Sequence, residues 1–88
     1  MLDSIRYGKN ITIMKPTVKI LFWNVSKATR LVEDILEELQ HDVESVLLIT
    51  ACDREFEVDV NGELIFSKKL LDRHGNDGEI IKLIKDKM

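Results

Sequence analysis

The sequence predicts a single α+β domain in the order β-α-β-β-β-α, a four-stranded mixed sheet with two helices on one face. Three observations carry this. An apolar stripe at helical spacing, Ala28 to Leu39, lies between two short apolar runs. Two alternating segments flank Asn61-Gly62, the strongest short hairpin signal, because both turn positions of a type I′ turn need positive φ. A last helical pattern runs through Ile80, Ile81 and Ile84. With 88 residues there is room for one such domain and no second.

Taken in order, residues 1–15 show no clean period and read as a tail, or as extension upstream of Met14. The patterned domain is expected over 16–88. Val18-Lys19-Ile20-Leu21-Phe22-Trp23 is β-branched and aromatic, as a mostly buried strand is. Asn24 or Ser26 can cap the following helix, whose dry side is Leu31, Val32, Ile35, Leu36 and Leu39. Glu33, Asp34, Glu37 and Glu38 fall on its wet side, and Gln40-His41-Asp42 ends it. Val46-Leu47-Leu48-Ile49 reads as a second buried strand, parallel to the first. Phe56 to Val60 alternates strictly, and Glu63 to Lys68 returns antiparallel. Lys69 to Gly78 is expected as a polar loop, with Asp77 capping the last helix.

Composition narrows the function classes. The lone Cys52 excludes an intrachain disulfide framework and a multi-cysteine metal site within one chain. No apolar run approaches the ~18 residues of a membrane span, and Arg6, Lys9 and Asn10 interrupt any secretion-signal core. A cytoplasmic location is the expectation, and the sequons at Asn10 and Asn24 then carry no meaning. Residues 28–63 hold eleven acids against two bases, and the net charge is −3. The basic footprint of a nucleic-acid binder is missing.

The run Phe56-Glu57-Val58-Asp59-Val60-Asn61-Gly62-Glu63-Leu64-Ile65-Phe66-Ser67-Lys68-Lys69, followed by Glu79-Ile80-Ile81, resembles the C-terminal half of the selenoprotein W-like (Rdx) family. The opening strand and helix fit its first half, so the resemblance covers roughly residues 16–88. It implies a thioredoxin-like fold and a thiol or selenol redox protein, with a Cys-x-x-Cys or Cys-x-x-selenocysteine pair just after the first strand. That motif lands here on Trp23-Asn24-Val25-Ser26. Trp23 and Ser26 stand at the two chalcogen positions, and neither side chain can form or leave a disulfide. Of the family's later Gly-Arg-Phe-Pro loop, Asp72-Arg73-His74-Gly75 keeps the arginine alone.

Other candidate sites read as ordinary structure. Cys52, between Ala51 and Asp53-Arg54, is an inert small residue or, alternatively, a redox-sensitive thiol that forms mixed disulfides. Ser26 with His41 or His74 lacks a nucleophile elbow and is better explained as a helix cap. Asp72, Asn76, Asp77 and Glu79 miss the spacing of a calcium loop, and the two histidines are too isolated for zinc. No cofactor is implied.

A two-residue turn at Asn61-Gly62 pairs Val60 with Glu63, Val58 with Ile65 and Glu57 with Phe66. Leu64 and Phe66 then leave the helix-covered face and join Leu21 and Trp23 on the uncovered one. The expectation is a small family member without the redox pair, a non-catalytic module. It would bind a protein partner or a second copy through Leu21, Trp23, Leu64 and Phe66.

Overall fold

The computed structural model describes residues 15–73, 75–76 and 78–88. The expected tail lies outside these apart from Lys15, as do His74 and Asp77. Seven elements follow: β1 (Thr17–Phe22), α1 (Val25–Leu39), β2 (Ser45–Thr50), β3 (Phe56–Val60), β4 (Glu63–Ser67), α2 (Lys68–Leu71) and α3 (Glu79–Asp86). The sheet order is β2-β1-β3-β4, with β1 parallel to β2 and antiparallel to β3, and β3 antiparallel to β4.

Helix α1 forms because its apolar residues share one side and Asn24 caps it, accepting the Lys27 N–H on Oδ1 at 3.1 Å. Ser26 is inside the first turn and is not the cap. The buried residues Ala28, Leu31, Ile35 and Leu39 face Val18 and Ile20 of β1, with Val58, Val60 and Phe66 beside them. Ile80, Ile81 and Ile84 of α3 complete the same core. Both long helices therefore cover one side of the sheet, and a Glu38–Lys85 ion pair of 3.1 Å joins them.

The hairpin turn is as expected, with Asn61 at φ 52° and Gly62 at φ 86°. Its register is not. Val60 pairs with Glu63 and Asp59 with Leu64, but Val58 then pairs with Phe66, leaving Ile65 as an extra residue in β4. The bulge turns Phe66 inward, where it is 1% exposed and meets Phe56 edge to face, with ring centroids 6.2 Å apart. Phe66 is thus a core residue and not a surface contact. Burying a phenylalanine is worth about 2 kcal/mol, more than a local break in the ladder costs.

Two further expectations change. The residues after β4 are not all loop: Ser67 caps the short α2 by accepting the Leu70 N–H on Oγ. Strand β2 is not buried, for it is the edge of the sheet, and Leu47, Leu48 and Ile49 are 48%, 53% and 41% exposed. Ahead of α3, Arg73 grips Glu79 through two hydrogen bonds of 2.8 Å, and Glu79 also accepts the Asn76 N–H at 2.9 Å. The Arg73 bond first, then the Asn76 N–H, hold the Glu79 carboxyl down at about 2, and Arg73 is raised in turn.

Two outcomes test this arrangement. Phe66→Ala should cost about 3–5 kcal/mol in urea unfolding, and Leu64→Ala less than about 1 kcal/mol. Comparable losses at the two positions would contradict the bulged register. Because the folded Glu79 pKa lies below its usual value of 4.5, its contribution is full above that value and fades as the pH falls to about 2. The stability gap between wild type and Glu79→Gln should be present at pH 7 and vanish near pH 2.

Candidate functional site

The loop from β1 into α1 carries Trp23 and Asn24, Ser26 follows in the first turn of the helix, and the chain from β2 to β3 folds over them. Since β1 lies between β2 and β3, that connection must arch across the C-terminal end of β1. The backbone fastens it there: the Ala51 N–H donates to the Phe22 carbonyl at 2.7 Å, and the Trp23 N–H to the Glu55 carbonyl at 3.0 Å. At its crest Asp53 and Arg54 have φ 54° and 62°, and the Glu55 N–H donates to the Cys52 carbonyl at 3.2 Å. Two successive left-handed residues inside that bond make the type I′ geometry. The sequence half hides this turn, because Asp53 suits its first central position but Arg54 stands where glycine is preferred.

Arg54 leaves the arch and lies over the Trp23 ring, 5.9 Å from its centroid. Such an exposed cation–π contact is worth about 0.5–1 kcal/mol. Trp23 is still 53% exposed, so the arch and Arg54 cover about half of it. The Lys68 ammonium donates to the Arg54 carbonyl at 3.3 Å and ties the start of α2 to the same arch. Cys52 is exposed and free at the arch's first corner. Trp23, Ser26 and Cys52 thus belong to one end of the molecule, around the C-terminal end of β1 and the first turn of α1.

The candidate contact residues do not form one patch. Leu21 is half-buried on the sheet face away from the helices, beside Ile49 of β2, and Leu47 lies next to it beside Lys19. Leu64 is 43% exposed on the same face but at the far edge, separated by a Lys19–Asp59 ion pair of 3.3 Å and by Glu57. Phe66 is on the other face. The continuous exposed apolar surface is instead Leu21, Leu47 and Ile49, with Trp23 just beyond. Leu47 and Ile49 escape sequence reasoning because their run matches a buried strand.

Among the described residues no group of three or more His, Cys, Asp or Glu side chains is placed to hold a metal ion. His41 is exposed in the turn after α1. None of the described helices is long and apolar enough to cross a membrane.

This architecture, a four-stranded mixed sheet with both long helices on one side, is that of a small thioredoxin-like protein. Among solved structures it is similar to a selenoprotein W-related protein from Vibrio cholerae, with a TM-score of 0.74 and 18% identity, covering 82% of this chain and 95% of that one. It is also similar to a protein from Bordetella parapertussis, with a TM-score of 0.78 and 14% identity over 84% of this chain and 99% of the other. No curated protein matches the sequence. The model of the Rdx family matches residues 18–86, and the chain belongs to that family.

Asn24 holds the loop and the helix start together, so Asn24→Ala should cost about 1 kcal/mol in urea unfolding. Ser26→Ala should cost less than about 0.5 kcal/mol. A reversal of the two would show that Ser26 and not Asn24 caps α1.

Proposed function

We propose that this chain is a non-catalytic Rdx-family protein, a cytoplasmic module that binds a protein partner or a second copy. What supports the reading most is Trp23 and Ser26, the side chains that the resemblance sets at the family's redox positions. Exchange needs one thiolate to attack sulfur and another to resolve the mixed disulfide. An indole offers no such nucleophile, and a serine hydroxyl forms no bond of this kind. The half-exposed Trp23 under Arg54 is suited to another task, presenting a large amphipathic ring to a partner. Leu21, Leu47 and Ile49 extend that apolar surface along the sheet.

A second reading has one observation in its favour. Cys52 is exposed on the arch over Trp23, at the same end of the fold as the family's motif. There it could exchange singly with glutathione or a partner thiol, without a resolving cysteine.

The purified protein should not reduce insulin with dithiothreitol or a dithiol reductase system above the no-protein control. Turnover would overturn the non-catalytic reading. Fast mixed-disulfide formation with oxidised glutathione, lost in Cys52→Ser, would favour the single-thiol reading instead.

A further inference from the structure

We propose that the edge of β2, which no other described strand pairs, joins β2 of a second copy, antiparallel about a two-fold axis at Leu48, making two four-stranded sheets into one of eight strands. The inference rests on the reading of the chain as a binding module and names the partner and the register.

Strand β2 lacks what usually protects an edge. Its sequence, Ser45 to Thr50, has no proline and no charge, and it pairs with β1 over its whole length without a shift. The opposite edge, β4, carries a bulge and Glu63. Soluble proteins seldom leave a regular apolar edge open, because its N–H and C=O groups are a template for another strand.

The backbone limits the register, and the length of the strand selects within that limit. In a parallel pair, alternate residues turn both backbone groups to the neighbour. The Ala51 N–H points to β1, donating to the Phe22 carbonyl, so the odd-numbered residues of β2 face β1. The N–H and C=O groups of Val46, Leu48 and Thr50 therefore face the outer edge. A two-fold axis at Leu48 sets Leu48 opposite Leu48 and Val46 opposite Thr50, every pair able to exchange two hydrogen bonds. An axis midway between two residues would set outward-facing residues opposite ones whose backbone groups point to β1, and an axis at Leu47 would keep only the Val46–Leu48 pairs within the strand and set Thr50 opposite Glu44.

The same register matches side chains on both faces. On the uncovered face Leu47 meets Ile49 of the second copy. On the helix face Leu48, 53% exposed, meets Leu48 of the second copy, with the two copies of α1 to either side. Lys27, Arg30 and Asp34 of α1 border a cleft shared with Ile80 and Ile81 of α3, and Glu38 bonds Lys85. The opposite flank of α1, with Val25, Val32 and Leu36, is thus the one toward β2. It carries no charge, and Val25 and Leu36 are 67% and 46% exposed. Over the exposed side chains and strand edges of both copies, the surface removed from water is at most on the order of 1,000 Å², the size of a weak or transient association. An extended segment of another protein could also add to the edge, but would have no α1 flank to match.

The test uses the full chain. Wild type should sediment as a dimer at micromolar concentration, and Leu48→Lys should weaken association at least tenfold with an unchanged circular dichroism spectrum. Hydrogen-bonded antiparallel pairs have Cα atoms about 5.5 Å apart, within disulfide reach. In a Cys52→Ser background, Leu48→Cys should therefore give a covalent dimer under mild oxidation, and Leu64→Cys on the far edge should not. A wild type that stays monomeric at several hundred micromolar would overturn the inference. So would a dimer that survives Leu48→Lys or does not cross-link at position 48. Those results leave the non-catalytic reading standing, whereas insulin turnover removes that reading without touching the association data.

Discussion

The structure depends on β1 being hydrogen-bonded along both sides. With β2 parallel on one side and β3 antiparallel on the other, every other element takes its place from that strand. Its ends are fastened by turns belonging to other strands. At the start, the Asn61 side chain accepts the Thr17 N–H at 2.9 Å, and the Asn61 N–H donates to the Thr17 carbonyl. At the finish, Ala51 and Glu55 hold Phe22 and Trp23. The hairpin turn and the β2–β3 arch thus leave few backbone groups of the central strand without a partner, as a buried strand requires. The candidate site is a consequence: the chain must cross the end of β1, and that crossing sets Cys52 and Arg54 above the loop that leads into α1.

Element order was legible because period and turn chemistry agree. The 3.6-residue stripe of α1, the strict alternation of β3 and the Asn61-Gly62 turn each name one conformation. The side of the sheet on which Phe66 sits was not legible. Period two fixes a face only while every residue is counted, and one extra residue moves everything beyond it. Ile65 and Phe66 are adjacent and both apolar, so the alternation of β4 breaks where the bulge forms. That doublet is the signal, and the edge-to-face contact with Phe56 shows what the bulge gains.

Around the candidate site, resemblance singled out Trp23 and Ser26 and its being alone singled out Cys52, but the sequence could not show that they share one end of the fold. That follows from the strand order β2-β1-β3, which forces the arch. Nor could it show the left-handed pair Asp53-Arg54, since aspartate is tolerated at positive φ and arginine is not favoured there. The turn holds these values because hydrogen bonds on both sides of it are fixed, Ala51 to Phe22 and Trp23 to Glu55. Arg54 is thereby directed over the indole, a contact no spacing rule connects with residue 23.

Strand β2 poses the remaining question, because its sequence and its position disagree. Val46-Leu47-Leu48-Ile49 has the composition of a strand covered on both faces, yet it lies at an edge with three large side chains 41–53% exposed. Composition records what a strand contacts when it functions, and it does not distinguish cover from a helix of the same chain and cover from another molecule. Exposure of this kind forgoes on the order of 1 kcal/mol per half-buried leucine, and it leaves a regular row of backbone groups to water. The neighbouring flank of α1 repeats the pattern: Val32 and Leu36 continue the dry stripe past the residues the sheet covers. A third feature agrees with these two, the even-numbered backbone groups directed outward from a strand that is apolar on either side of Leu48. The proposed antiparallel copy of the same strand would satisfy all three at once, since a two-fold contact matches a surface to itself.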